Sequence, residues 1–136
     1  MGMVSRWQWT ALVLAVAAAT AAAQGDKMTV KEIMGRVNKP PKALFPAIRL
    51  GLNAEAPDWE LLRKQAKEVA ELAEALTRKE PPRGEKESWA KFTKAYAADA
   101  KSLASAAEKK DKDVVIGLHA KIARSCTACH NVHRPE

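Results

Sequence analysis

The feature of this sequence that most constrains its fold is a set of three long apolar stripes whose members are spaced by three or four positions. They are Trp59, Leu62, Ala66, Val69, Ala73 and Leu76; Trp89, Phe92, Tyr96, Ala100, Leu103 and Ala107; and Val115, Leu118, Ile122, Ser125 and Cys129. This spacing puts the side chains on one face of a helix, as in helices that pack side by side. Pro81, Pro82, Gly84 and the charged segment 109–113 separate the stripes. The sequence therefore predicts three long helices joined by short turns.

A shorter helical arm is predicted ahead of these stripes, over residues 29–53. Thr29 and Glu32 have the spacing of a capping box at a helix start. Apolar residues at helical spacing follow on both sides of Pro40 and Pro41, which interrupt the arm. Pro57 and Asp58 then open the next helix, and Ser88 or a slightly earlier residue opens the one after it. Four helical segments with short connections favour an all-α, antiparallel four-helix bundle.

Residues 1–23 are typical of a secretory signal peptide. Arg6 supplies a basic start, residues 10–20 are apolar or small, and Ala21 and Ala23 suit the positions before a cleavage site. We expect cleavage after Ala23, a single domain over residues 24–136, and a periplasmic location. The apolar run is shorter than the roughly 20 residues that span a bilayer, so we expect no stable membrane insertion after cleavage. An uncleaved N-terminal anchor stays open as the alternative.

The charge of the chain argues against a nucleic-acid partner. The formal net charge is +7, and it becomes +6 once Arg6, the one charged residue of the predicted signal, is removed. The basic residues are mixed with glutamates along the chain, and no basic cluster is interleaved with aromatic residues. This surface suits partner proteins with acidic surfaces, and a homodimer stays open. The sequence has no nucleophile elbow and, outside residues 126–133, no helical metal-binding pair, so we do not expect an enzyme.

The last helix ends in Cys126-Thr127-Ala128-Cys129-His130, which has the pattern C-x-x-C-H of covalent haem attachment. Two thiols at this spacing can add to the two vinyl groups of one porphyrin, and the histidine that follows can bind the iron. A thioredoxin-like redox pair would need a βαβ context. A zinc site would have to draw Cys126, Cys129, His130 and His133 from one helical segment around one ion. We therefore predict one haem c.

With this motif near the C-terminus of a helical bundle, the chain resembles the class II cytochromes c, the group that includes cytochrome c′ and its low-spin relatives. The resemblance implies thioether bonds at Cys126 and Cys129 and iron ligation by His130. An arginine commonly follows the haem histidine by four residues in that family, and Arg134 has this position. The residue before it is often aromatic in the family. His133 departs from that pattern, and we expect it to be an exposed tail residue.

The resemblance also makes the sixth iron ligand decisive for function. Low-spin members use a methionine of the first helix, which implies Met34 here, and His/Met ligation is typical of an electron carrier. Met28 is a weaker candidate for this ligand. His119 lies on the same helix as the cysteines, whereas the ligand on the opposite face of the haem must come from elsewhere in the fold. We therefore expect His119 to be a packing or surface residue. If Met34 is core filler instead, the alternative is a five-coordinate protein that binds nitric oxide or carbon monoxide. A haem-free structural or metal-binding module is a third hypothesis.

Overall fold

A computed structural model of the chain describes residues 24–136, and the regular secondary structure of this part is entirely helical. The helices are α1 (Val30–Asn38), α2 (Leu44–Leu52), α3 (Trp59–Leu76), α4 (Lys86–Glu108) and α5 (Lys112–His133), and residues 24–27 are helical as well. The predicted signal peptide, residues 1–23, lies outside the described residues. Among residues 24–136, no helix is both long enough and apolar enough to cross a membrane.

The helix starts follow from local hydrogen bonds. Thr29 and Glu32 form the predicted capping box: the Glu32 N–H donates to Thr29 Oγ1 at 3.2 Å, and the Thr29 N–H donates to Glu32 Oε2 at 2.7 Å. Asp58 caps α3 by accepting from the Leu61 N–H at 3.0 Å. Helix α4 begins at Lys86 without a side-chain cap, so it starts two residues before Ser88, within the range that the sequence indicated.

The three long helices run antiparallel to their sequence neighbours. For α3 and α4, the Trp89 Nε1–H donates to the Lys79 carbonyl oxygen at 2.7 Å at one end. Arg63 and Glu108 form an ion pair of 3.5 Å at the other end. For α4 and α5, Lys121 pairs with Asp99 at 2.7 Å, and the end of α5 lies beside the start of α4. These are also the two most extensive helix contacts of the described chain.

The arm formed by α1 and α2 runs antiparallel to α3 and is broken between its two halves. Arg36 of α1 pairs with Glu68 in the middle of α3, at 2.6 Å and 2.9 Å. Further along the arm, Gly51 approaches Leu62 near the start of α3. Helix α2 also packs on α5, so the arm contacts two of the long helices. The predicted arm over residues 29–53, with its interruption at the prolines, is confirmed.

The predicted stripes form the core, except for several stripe residues that are only half-buried. Most stripe residues are buried, including Ala73, Leu103 and Val115. Six members are only half-buried: Trp59, Phe92, Tyr96, Leu118, Ser125 and Cys129. Four of these six, on α4 and α5, border one pocket. Incomplete burial along the stripes is therefore concentrated where the helices leave space between them.

Candidate functional site

The pocket lies between the start of α4, the end of α5 and helix α1. Its cavity volume is about 60 Å³, below the roughly 300 Å³ at which small-molecule and cofactor sites usually begin, so a larger cofactor would have to extend through its open mouth or move its walls apart. Leu76, Trp89 and Phe92 give it apolar walls from α3 and α4. Helix α5 contributes Ser125, Cys126, Cys129 and His130, and α1 contributes Met34 and Asn38. One pocket thus brings together four of the five residues that the sequence singled out.

The two thiols border the pocket from one face of α5. Cys126 and Cys129 are three residues apart in a continuous helix, so their side chains point the same way. Both are half-buried and both are free thiols. Burial raises the pKa of each thiol, and the neighbouring Cys126 adds to the rise at Cys129. The chain therefore presents two protonated, unoxidised sulfur atoms to one apolar space.

His130 is half-buried beside the thiols, and its imidazole in the neutral form can offer a nitrogen lone pair to a metal ion. Burial lowers the pKa of His130, and the positive charge of Arg134 lowers it further. A neutral imidazole has a free nitrogen lone pair, which is the form that binds a metal ion. Arg134 itself is exposed and follows the last residue of α5. Its side chain does not line the pocket, so in this structure it acts on the site through its charge.

Met34 reaches the pocket from the arm, and Met28 does not. The Asn38 side-chain N–H donates to Met34 Sδ at 3.9 Å, a weak contact between two residues that both border the pocket. Met28 packs against the core without lining this space. Of the two candidate methionines, only Met34 shares a pocket with Cys126 and His130.

Three of the four stripe aromatics border the pocket as well. Trp89, Phe92 and Tyr96 line it from α4, whereas Trp59 packs against the core elsewhere. Burial raises the pKa of Tyr96, and the nearby Cys126 contributes to the rise. The Tyr96 hydroxyl therefore stays protonated at neutral pH close to one of the thiols. The sequence placed these aromatics on a helix face but could not assign them to a cavity.

His119 is a packing residue, as the sequence indicated. It is 6% exposed, its ring stacks on Phe45 with centroids 3.8 Å apart, and its Nε2 lies 2.9 Å from the Phe45 carbonyl oxygen. Burial lowers the pKa of His119 despite this hydrogen bond. It does not line the pocket, so it joins α5 to α2 away from the candidate site.

His133 corrects the sequence interpretation. The expectation of an exposed tail residue is wrong, because the side chain is only 2% exposed. Its Nδ1 lies 2.6 Å from the Arg83 carbonyl oxygen and its Nε2 lies 3.0 Å from Ser88 Oγ. These partners precede His133 by 50 and 45 residues, which is why no local sequence pattern revealed them.

The arrangement does not gather the four cysteine and histidine side chains as a zinc site would. Within residues 24–136, no three histidine, cysteine, aspartate or glutamate side chains form a group that could hold a metal ion. His133 is instead turned toward Arg83 and Ser88. Closed zinc sites need four ligands around one ion, and in this fold one of the four side chains is bonded elsewhere.

Comparison of the chain with family models, with curated proteins and with solved structures finds no match.

Proposed function

We propose that this protein is an exported monohaem cytochrome of the c type that acts as an electron carrier. The observation that carries the proposal is that Cys126, Cys129, His130 and Met34 border a single pocket with apolar walls. In the proposed fold the bent arm, α1 with α2, counts as one helix of a four-helix bundle, and α3, α4 and α5 are the other three. This is the architecture implied by the resemblance to the class II cytochromes c.

The residues at the pocket suit one covalently attached haem. The free thiols of Cys126 and Cys129 would form the two thioethers, and His130 would ligate the iron from α5. Met34, on a different helix, would offer its soft thioether sulfur to the iron as a second protein ligand. Arg134 would add positive charge near the site. The donor set contains the residue types that c-type attachment with His/Met ligation needs.

A bound haem supplies a one-electron ferric–ferrous couple. What the chain would contribute is an apolar environment between packed helices. Leu76, Trp89 and Phe92 line the space beside the thiols with apolar surface, which would limit the contact of a bound haem with water. The neutral state of His130, favoured by burial, keeps its lone pair available. A site held between helices needs little rearrangement when one electron arrives or leaves, and this is what an electron carrier requires.

The proposed location is the periplasm, which the signal-like residues 1–23 support. The net basic charge supports redox partners with acidic surfaces, because opposite charges speed the encounter of two proteins. No nucleic-acid partner is proposed, and a homodimer is compatible with the same site.

The proposal is tested by expressing the full chain in a host that attaches c-type haem and denaturing the purified protein. We expect a porphyrin chromophore that stays with the polypeptide. Replacing both cysteines, as Cys126→Ala with Cys129→Ala, should abolish it. Ser125→Ala is the matched control, because Ser125 borders the same pocket without a thiol. A wild-type protein without bound porphyrin, or a double variant with an undiminished chromophore, would contradict the proposal.

The role of Met34 is tested separately with carbon monoxide. If Met34 fills the second axial position, the reduced wild-type spectrum should change little on addition of the gas, and Met34→Ala should respond strongly. Leu76→Ala, which enlarges the same pocket without removing a ligand, is the control. A wild-type spectrum that already shifts as readily as that of Met34→Ala would favour the five-coordinate, gas-binding alternative.

A further inference from the structure

The side chain of His133 is buried and hydrogen-bonded, although the residues next to it in the sequence are exposed. His133 is the last residue of α5, and it is 2% exposed whereas residues 131, 132 and 134–136 are exposed. Both ring nitrogens have partners. The Arg83 carbonyl oxygen can only accept, so Nδ1 donates to it over 2.6 Å. In the neutral ring Nε2 then accepts from the Ser88 hydroxyl over 3.0 Å.

These bonds join two segments that flank the pocket. Arg83 lies in the turn before α4, and Ser88 lies in the first turn of α4. The ring also contacts Trp89 and Phe92 edge to face, with centroids 5.4 Å and 5.8 Å apart. Both aromatics line the pocket. One side chain at the end of α5 thus contacts the preceding turn, the helix start and two residues of the pocket wall.

Gly84 makes this contact sterically possible. Its φ is +83°, a conformation that residues with a side chain rarely adopt, and a Cβ built there would lie 2.9 Å from His133 Nδ1. The turn therefore passes against the imidazole with no room for a side chain. The close approach is specific to this turn and fixes where the end of α5 lies.

We infer that His133 is a positioning residue for the pocket. By holding the last turn of α5 against the start of α4, it sets where Cys129 and His130 stand relative to Trp89 and Phe92. The effect of His133 on the positions of the pocket residues does not depend on haem. Its effect on a bound haem rests on the proposed function.

His119 provides a matched comparison on the same helix. It is also buried, bonded to one backbone carbonyl and packed on an aromatic ring, but it lies away from the pocket. A merely structural role for His133 predicts that substitution of either histidine lowers stability and leaves the site alone. A positioning role predicts that only substitution of His133 changes the site.

The first experiment uses the full chain without haem and measures how fast the thiols of Cys126 and Cys129 react with a chromogenic disulfide. Removing a buried, hydrogen-bonded partner should raise the population of open states, so we expect His133→Ala to react about tenfold faster than wild type. His133→Phe keeps a ring but loses both bonds and should show a smaller increase. Ser88→Ala, which removes one bond, should show the smallest. The thiol reaction rate of His119→Ala should stay within about twofold of the wild-type rate, because the local opening caused by this substitution is remote from the thiols.

Rates are compared only under conditions where circular dichroism shows each variant to be folded. If His133→Ala does not fold, His133→Phe and Ser88→Ala decide the matter, since each leaves most of the packing in place. Equal acceleration by the His119 and His133 substitutions, or none by any His133 or Ser88 variant, would overturn the inference.

The second experiment measures the reduction potential and the ferric spectrum of the haem-loaded variants. We expect both to change in His133→Phe and to match wild type in His119→Ala. An unchanged potential and spectrum in His133→Phe would refute positioning of the cofactor. If the wild type attaches no haem, the proposed function fails, but the thiol rates still decide whether His133 organises the pocket.

Discussion

The two ends of α5 are built from the same kind of apolar stripe, yet one is closed and the other is open. At the closed end, around Val115 and His119, helix α2 covers α5 and Phe45 fills the space by stacking on His119. At the pocket end, around Cys126 and His130, helix α1 contributes Met34 and a cavity remains. Both halves of the arm supply core residues, such as Ile33 from α1 and Ile48 from α2. Only α1 also borders the pocket, so the break in the arm separates a half that packs on the core from a half that packs and also borders the site.

The sharpest way to test this contrast is to remove the same amount of side chain from each end. Leu103 is fully buried in the core, and Leu103→Ala should lower the free energy of unfolding by about 2–5 kcal/mol. Met34 is only partly buried and already adjoins empty space. Met34→Ala should therefore cost about 1 kcal/mol or less in the haem-free chain, since little packing is lost.

Both values are measured by urea unfolding of the chain without haem. Equal losses at the two positions would mean that the pocket end is packed as tightly as the closed end, and the contrast would fail.

The closed end should also carry a pH dependence of its own. Burial lowers the pKa of His119 below its ordinary value of 6.5, so below pH 6.5 the unfolded chain binds a proton that the folded chain does not yet accept. The free energy of unfolding should then fall as the pH falls, by no more than about 1.4 kcal/mol per pH unit from this residue. His119→Gln keeps a polar side chain without a titrating group. It should show a shallower slope than wild type in urea titrations between pH 7 and pH 5.

The difference between the two slopes isolates His119, because all other side chains are the same in both proteins. An identical slope in wild type and His119→Gln would show that His119 is as easily protonated in the fold as outside it.

The smallest expected effect concerns the arm itself. Arg36 of α1 forms two bonds to Glu68 and a third, of 2.8 Å, to the Lys42 carbonyl oxygen at the break. The pair is more than a third exposed, so solvent screens it, and Arg36→Ala should cost about 1 kcal/mol. Lys64→Ala is the control: its ion pair with Glu60 lies within α3 and is largely exposed, and its loss should cost only about 0.3 kcal/mol.

Both losses of unfolding free energy are measured by thermal unfolding. At high salt, the loss caused by Arg36→Ala should decrease toward the smaller loss caused by Lys64→Ala, because salt screens the ion pair. Equal losses in both variants at low salt would mean that the Arg36–Glu68 pair contributes no more to holding α1 against α3 than an exposed ion pair within one helix.

Much of this fold could be predicted because its signals are local. Thr29 and Glu32 lie three residues apart and form their capping box without help from the rest of the chain. Asp58 caps α3 in the same way. The stripes of α3, α4 and α5 are periodic, and they form the core. The association of Met34 with the cysteines was expected only because the family resemblance assigned it a role there.

The parts that sequence reasoning missed depend on contacts between distant segments. The burial of His133 depends on the Arg83 carbonyl and the Ser88 hydroxyl, and a backbone carbonyl has no signature in the sequence at all. Asn38 borders the pocket because α1 lies near α4 and α5, which come more than 40 residues later in the chain. The start of α4 at Lys86 was uncertain because Glu85 supplies no side-chain cap.

The close approach of Gly84 to His133 has a consequence for which residues these two positions can tolerate. Any side chain at position 84 must accept a left-handed backbone and also displace the imidazole. A larger residue at 84 is therefore expected to require a smaller one at 133. In a library that randomises both positions and selects for folded protein, the two should be recovered as pairs of complementary size rather than independently.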